Sequence, residues 1–461
     1  MILTFSTPYF KVSVISASVG NQPNQFNLST FQPFNYLPLF IALLFVSHPV
    51  QTQAVTYIVQ RFTSLATFFY LLSLVMYIKF RLTPSLTLPH RGMGGGAVTT
   101  RYTLYAVSFF SAIFAMKTKE ISFTLPIIIV LYEFMFFEGN IKKRMLYLIP
   151  MLLTMLIIPL SMIGIDKPIG DAIGELREAS QETDEIPRWS YLFTQFRVIV
   201  TYIRLLFLPI NQNLDYDYPL YHSFFNPEVF LSFLFLLPLV GLGIYLLYRS
   251  RFTSHASRLI AFGIFWFFTT LSIESSIIPI RDVIFEHRLY LPSVGAIIAF
   301  VSGIFYILRF TFHDSRFTTY ASRTCYLLLA TAVIVLSIAT YERNIIWQNE
   351  VSLWADTVKK NPYKARGHNN IGNAYYKKGL TDMATEEYQI ALRLNPNYIE
   401  VYNNLGNAYK NKGLTDKAIE YYQIALRLNP DLAEVHSNLG VAYKNNGLTD
   451  MAREEYQIGL R

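Results

Sequence analysis

The chain has 461 residues, 52% hydrophobic and only 15% charged, with a mean hydropathy of +0.30. That balance is too apolar for a soluble protein of this length and fits a polytopic membrane protein with a soluble appendage. The net charge of +8 then reads as an orientation signal rather than a nucleic-acid footprint, no nucleic-acid partner is expected, and a single cysteine, Cys325, excludes an intrachain disulfide.

Residues 1–35 are rich in Ser, Asn and Phe, follow no period and read as an irregular N-terminal remnant. Lys11 is the only charge before residue 35, and no compact basic segment precedes an apolar core, so no cleavable signal is read there. Apolar runs follow near 36–47, 62–78, 102–116, 121–137, 145–164, 228–248, 257–273, 291–308 and 324–341 and predict about nine spans in a membrane domain over 36–341. Several are shorter than the roughly 20 residues of a straight span, as happens where a protein-lined cavity replaces lipid.

The connectors alternate in charge. Those over 79–101, 138–144, 249–258 and 309–323 hold thirteen Lys and Arg against Glu138 and Asp314. Those over 48–61, 117–120, 165–227 and 274–290 are poor in basic residues or acidic, so the first set is predicted to be cytoplasmic. The run PHRGMGGG at 89–96 is a flexible insert on that side.

The opposite side therefore collects polar segments: His48 to Gln53 leading to Arg61, then Lys117 to Glu120, then the long connector 165–227, then 273–292. The long connector opens acidic and turns aromatic over Trp189 to Ile210, where Arg197 and Arg204 stand seven residues apart. At 1.5 Å per residue they share one helical face about 10 Å apart. Such a helix lies in the interface, with its arginines toward lipid phosphates or as a plain anchor. The last segment sets Glu274, Arg281, Asp282, Glu286, His287 and Arg288 among Ile, Val, Phe, Leu and Tyr, so it folds back onto the membrane domain. Intramembrane charges of this kind mark a functional site, or they pair off and only orient two helices.

After Tyr341 the composition changes, and a connecting helix over 342–364 leads into a 34-residue period. Pro362, Pro396 and Pro430 mark it, as do Gly372, Gly406 and Gly440, Tyr375, Tyr409 and Tyr443, Ala384, Ala418 and Ala452, and Tyr388, Tyr422 and Tyr456. This is the tetratricopeptide (TPR) pattern, in which small residues let two helices approach and aromatics fill the seam. It gives repeats at 365–398, 399–432 and 433–461, the last incomplete and without a polar capping helix. Asn370, Asn404 and Asn438 precede each Ile/Leu-Gly pair. They form a ladder that binds the backbone of an extended peptide or serves packing alone. It resembles the asparagine ladder of the O-GlcNAc transferase superhelix.

No GxSxG, HExxH, paired CxxC or Walker loop is present, so hydrolase, zinc and nucleotide sites have no support and no metal ligands are assigned. What remains is a membrane site carrying acids and arginines, suited to transfer from a lipid-phosphate donor: a carboxylate takes the acceptor proton and guanidinium groups hold the departing phosphate. The series His48-Pro49, Thr52, Ala54-Val55 and Arg61, then Lys119-Glu120, then Glu274-Ser275, Glu286, Arg288 and Leu289-Tyr290-Leu291-Pro292, followed by repeats, resembles the transmembrane-and-TPR protein O-mannosyltransferases and their bacterial relatives. The resemblance covers about 36–461. It implies an all-α fold, with a polytopic domain of the C-type glycosyltransferase kind followed by a TPR solenoid, and a polyprenyl-phosphate sugar as donor. It also implies a multi-pass protein of a bacterial inner membrane with its repeats on the non-cytoplasmic side.

Candidates for the base are Glu120, Asp215 and Glu286. Candidates for the donor phosphate are Arg61, Lys119, Arg197, Arg204, Arg281 and Arg288. The acceptor peptide is expected on Asn370, Asn404 and Asn438. Two departures stand out. Gln53 replaces a Glu common in the family, and residues 1–34 hold no Asp or Glu where the family has a further span and the acidic loop that supplies its base. The chain is accordingly expected to be truncated at both ends. The competing reading is a catalytically inactive, membrane-anchored interaction protein.

Overall fold

The computed structural model describes residues 36–57, 60–83, 94–162, 186–249, 255–276, 279–280, 282–311 and 315–460, and every regular element among the described residues is helical. Residues 1–35, the acidic stretch before Ile186 and Arg281 lie outside them. The membrane part runs α1 (Leu37–Ser47), α2 (Gln51–Thr56), α3 (Arg61–Leu82), α4 (Gly94–Thr118), α5 (Leu125–Phe136), α6 (Ile141–Leu153), α7 (Ile157–Met162), α8 (Arg188–Phe207), α9 (Pro227–Arg249), α10 (His255–Leu271), α11 (Tyr290–Thr311) and α12 (Ser315–Ile346). Short 3-10 turns at Glu120–Thr124, Thr154–Leu156 and Glu286–Leu289 lead into α5, α7 and α11. The described residues of the nine apolar runs fall mainly on helices, with 3-10 turns opening the fourth run and interrupting the fifth. Five segments among the described residues are long and apolar enough to cross a membrane: Arg61–Leu82, Ile141–Ser161, Pro227–Arg249, Glu286–Ile307 and Arg323–Ile346. Leu37–Ser47 and Ala256–Leu271 are apolar but shorter.

In lipid, helices associate through close packing and interhelical hydrogen bonds rather than hydrophobic transfer. The pair α3 and α4 shows both: Ser73 Oγ donates to the Ser108 main-chain oxygen at 2.8 Å, and Ser108 Oγ returns the bond to Ser73 at 2.8 Å. At the end of the domain that carries the basic connectors, the apolar helix α5 buries Glu133 completely. Its carboxylate accepts from Arg81 at 2.8 Å, Arg144 at 3.1 Å and the Tyr77 hydroxyl at 3.1 Å. A buried charge must be paired and hydrogen-bonded, and this one is matched by two guanidinium groups from other helices.

Beyond α12 the chain makes α13 (Glu350–Lys360) and three helix pairs, α14 (Ala365–Lys377) with α15 (Thr381–Leu394), α16 (Ile399–Asn411) with α17 (Thr415–Leu428), and α18 (Ala433–Asn445) with α19 (Thr449–Gly459). The expected connector over 342–364 is two pieces, because the last span stays helical through Ile346 before α13 begins. The repeat glycines answer to packing: a Cβ on Gly372 would stand 2.5 Å from Cε1 of Tyr388, and one on Gly440 2.7 Å from Cε1 of Tyr456. The tyrosine rings therefore lie directly on the glycine backbone, which sets the spacing within each pair.

Candidate functional site

The described parts of the polar segments read from the sequence come together at one end of the membrane domain. His48 accepts from the Val50 amide through Nδ1 at 3.2 Å, and its Nε2 lies 2.9 Å from the Leu206 main-chain oxygen. That arrangement makes Nε2 the donor, and burial pushes the imidazole below its ordinary 6.5, so the ring stays neutral. Gln51 donates to Ser293 Oγ at 3.0 Å, and Gln53 Oε1 accepts from the His287 amide at 2.9 Å. Gln53 thus fastens α2 to the turn before α11.

Helix α8 has two working faces. One pins the 272–289 loop: Tyr191 donates to the Glu274 main-chain oxygen at 2.7 Å, Gln195 to that of Val283 at 3.0 Å, and Tyr202 to that of Phe285 at 3.0 Å. The other carries Arg197 and Arg204, which line one cavity of about 490 Å³ together with Asn211, Tyr216, Tyr218 and Tyr221. The shared face expected from the seven-residue spacing is therefore present. Glu228 sits at the same cavity, 3.5 Å from Arg197, and Arg204 also donates to the Ile210 main-chain oxygen at 3.1 Å. The chain leaves α8 through Asn211 at φ 55°, a left-handed conformation that Asn tolerates better than most residues.

The candidate bases sit in three different environments. Glu120 is exposed at the start of its 3-10 turn. Glu286 is 1% exposed and accepts from Gln212 at 2.9 Å, the Asn213 amide at 2.8 Å and the Tyr216 hydroxyl at 2.6 Å, with Arg343 at 3.9 Å. Burial and the adjacent Glu286 charge push the Tyr216 hydroxyl upward, so it serves as a donor. Asp215, 3% exposed, binds Lys364 Nζ at 2.6 Å and Arg366 Nε at 2.6 Å. Burial alone would raise its carboxyl, but Arg366 and Lys364 outweigh burial and hold it below the ordinary 3.8.

The cations divide similarly. Arg61 is exposed at the first turn of α3. Lys119 donates to Thr63 Oγ1 at 2.9 Å and pairs with Glu274 at 3.4 Å. Arg288 is buried and serves its own loop, donating to the main-chain oxygens of Val283 at 3.2 Å and Asp282 at 2.9 Å. Around Glu286 several buried side-chain atoms have no partner: both amide atoms of Asn213, Gln51 Oε1, Thr52 Oγ1 and His287 Nδ1. Native interiors leave few such groups unpaired, so these atoms are free to bind a water or a polar atom of a ligand. Among the described residues, no three His, Cys, Asp or Glu side chains group as a metal site would need.

The asparagine ladder is partly committed to the solenoid. Asn404 donates to Asn369 Oδ1 at 2.9 Å and Asn438 to Asn403 Oδ1 at 3.0 Å, while Asn369 and Asn403 donate onward to Glu400 and Glu434. What sequence reading missed is the junction to the membrane domain. Lys360 donates to the Gln212 main-chain oxygen at 2.7 Å, Asn361 to that of Asp215 at 2.5 Å, and Arg366 reaches both Asp215 and Asp282. Its signal was the cluster Lys359, Lys360, Lys364 and Arg366 after the last span, matched by Asp215 and Asp217 in the long connector.

Fold and site together define a multi-pass helical membrane protein whose polar loops at one end form a platform for a TPR solenoid. Two family models match the repeats, one described as TPR repeat over residues 372–413 and one as Tetratricopeptide repeat over 399–432. The chain is similar to Protein O-mannosyl-transferase TMTC3 of Mus musculus, 26% identical over 366 residues that make up 73% of this chain and 36% of the relative. It is also similar to Protein O-mannosyl-transferase Tmtc3 of Drosophila melanogaster, 24% identical over 422 residues, 82% of this chain and 43% of the relative. These relatives and the repeat matches support the TMTC-like membrane family read from the motifs. The chain spans less than half the length of either relative. Among solved structures, the crystal structure of MamA aligns at 24% identity with 30% of this chain and 75% of that one, at a TM-score of 0.23.

Proposed function

We propose that this chain forms the membrane and repeat portion of a glycosyltransferase that moves a sugar from a polyprenyl-phosphate donor to a protein or glycan acceptor. The observation that carries this reading is the cavity of about 490 Å³ that presents Arg197 and Arg204 together, beside a row of tyrosines, at the polar end of the membrane helices. Two guanidinium groups suit the forked oxygens of a phosphate, and tyrosine faces and hydroxyls suit a sugar ring. In the step, the acceptor oxygen bonds to the anomeric carbon as the bond from that carbon to the donor phosphate oxygen breaks. The acceptor proton passes to a carboxylate, and the polyprenyl phosphate leaves with the electron pair, its charge held by the arginines. Of the three candidate bases, Glu120 alone is open to an acceptor, while Asp215 and Glu286 are engaged on every side. Arg61, exposed at the start of α3, and Lys119, paired with Glu274, do not line the arginine cavity. The relatives' names point to mannose as the sugar to test first.

The excess of Lys and Arg at the opposite end supports a non-cytoplasmic site and repeats, in the setting of a bacterial inner membrane. In this reading the repeats hold the acceptor as an extended segment near the site. No metal or cofactor is invoked.

Arg204→Ala and Arg197→Ala should each weaken binding of undecaprenyl phosphate to the protein in nanodiscs by about 1 kcal/mol, the upper scale of one solvent-exposed charge pair. Glu120→Gln should keep that binding and lose transfer from polyprenyl-phosphate mannose. Unaltered lipid-phosphate binding in both arginine variants sinks the reading. A second reading is favoured by the engagement of Asp215 in docking the repeats: a membrane-anchored scaffold whose repeats capture a partner. In that case the parent protein captures peptides but transfers no sugar.

A further inference from the structure

We infer that Arg366 is a positioning residue that couples the orientation of the first repeat to two membrane-domain loops, one lining the arginine cavity and one held on the other face of α8, an inference that rests on the proposed donor site for its ligand. Arg366 is the second residue of α14, so its backbone belongs to the solenoid. Its guanidinium bridges two carboxylates of the membrane domain: Nε and Nη2 bind Asp215, and Nη2 and Nη1 lie 2.7 and 3.2 Å from Asp282. Asp215 comes from the segment between α8 and α9, Asp282 from the loop between α10 and α11.

Asp215 adjoins the cavity wall directly, and Asp282 reaches it through the far face of α8. Tyr216, next to Asp215, lines the cavity, and its main-chain oxygen accepts from Lys364 at 2.7 Å. The Asp282 main-chain oxygen accepts from Arg288, and the neighbouring Val283 oxygen accepts from Gln195 on α8, two residues before Arg197. A movement of α14 is therefore felt at Tyr216 on one side and at the Arg197 helix on the other. Removing the cation leaves two carboxylates facing each other, one of them nearly buried, and the loops must part or protonate. The effect is asymmetric: Lys364 still holds Asp215 at 2.6 Å, while Asp282 loses its only ion pair among the described residues.

Hydrogen exchange on the whole chain in nanodiscs tests this without any sugar transfer. In Arg366→Gln, exchange should rise about tenfold over 282–289 and less over 208–218, with the repeat helices unchanged, the pattern of a local opening. Asp282→Asn should confine the rise to 282–289, and Arg366→Lys should restore protection to 208–218 alone. Undecaprenyl phosphate binding should weaken by about fivefold in Arg366→Gln, the lower end of site-to-site coupling. Unchanged exchange in both loops, or an equal rise through all three repeats, overturns the inference. If Asp282→Asn folds and leaves 282–289 protected, it is overturned even where Arg366→Gln fails to fold. Loosened loops in a protein whose lipid binding ignores Arg204 would instead retain the coupling and reject the donor site.

Discussion

A Cβ added to Gly295 on α11 would stand 2.6 Å from the carbonyl oxygen of Gly263 on α10 and 2.5 Å from Cδ1 of Trp266. The two helices touch backbone to backbone, and Trp266 Nε1 donates to the Leu291 main-chain oxygen at 2.9 Å beside the contact. Close approach at small residues is the main source of helix association in lipid. Gly295→Ala is expected to cost about 1–3 kcal/mol, the usual range for overpacking. A lowered thermal midpoint of the detergent-purified protein checks it, and an unmoved midpoint would mean the crossing has slack.

At the opposite end, Glu133→Ala should destabilise by about 3–5 kcal/mol, because it leaves Arg81 and Arg144 facing each other in a buried site. Arg144→Ala should cost less, since Arg81 remains on the carboxylate. Denaturation midpoints of the two variants in SDS decide it, and the reverse order would show that Arg81 is not the stronger partner.

The third repeat carries a pH-dependent tie. His436 Nδ1 faces Glu455 at 2.6 Å and Nε2 faces the Pro430 main-chain oxygen at 2.8 Å, so both nitrogens donate when the ring is charged. Burial lowers its pKa, but Glu455 and the Pro430 oxygen outweigh burial and raise it above the ordinary 6.5. A raised value means the stabilisation is fully present below about pH 6.5 and is lost as pH rises through the higher folded value. The melting temperature of the parent minus that of His436→Gln should therefore shrink between pH 6 and pH 9. A constant difference would place the contribution of His436 in packing alone.

Orientation can be read with an impermeant thiol reagent, since the native Cys325 is buried. Ser437→Cys on the solenoid should be modified in intact cells, and Lys143→Cys at the basic end should be modified only after permeabilisation. The opposite labelling would put the site and the repeats in the cytoplasm.

The asparagine row separates packing from recognition. Asn370→Ala leaves the Asn404–Asn369 and Asn438–Asn403 bonds in place. The triple change of Asn370, Asn404 and Asn438 to Ala removes both. The triple variant should bind extended peptides about 1–2 kcal/mol more weakly, the scale of a few net hydrogen bonds, and melt earlier. Asn370→Ala should lose part of the binding with no change in melting. Full peptide binding in both variants would make the ladder an internal strut only.

Apolar run length, loop charge and the 34-residue period are local properties of the chain, and the sequence alone determined what depends on them: the helices, the repeats and the gathering of polar loops at one end. The common face of Arg197 and Arg204 was legible for the same reason, because helix geometry fixes it within seven residues. The environment of each candidate base was not. Asp215 meets Lys364 and Arg366 across 149 and 151 residues of chain, and Glu286 meets Gln212 across 74. The basic cluster after the last span hints that an acidic partner exists, but nothing near either residue says which carboxylate it meets. Composition could place acids near arginines. Only the meeting of the segment after α8, the loop before α11 and the start of α14 decided which carboxylates are bound within the protein and which remains open, because the strength of a charge depends on burial and on partners that the fold alone brings within about 3 Å.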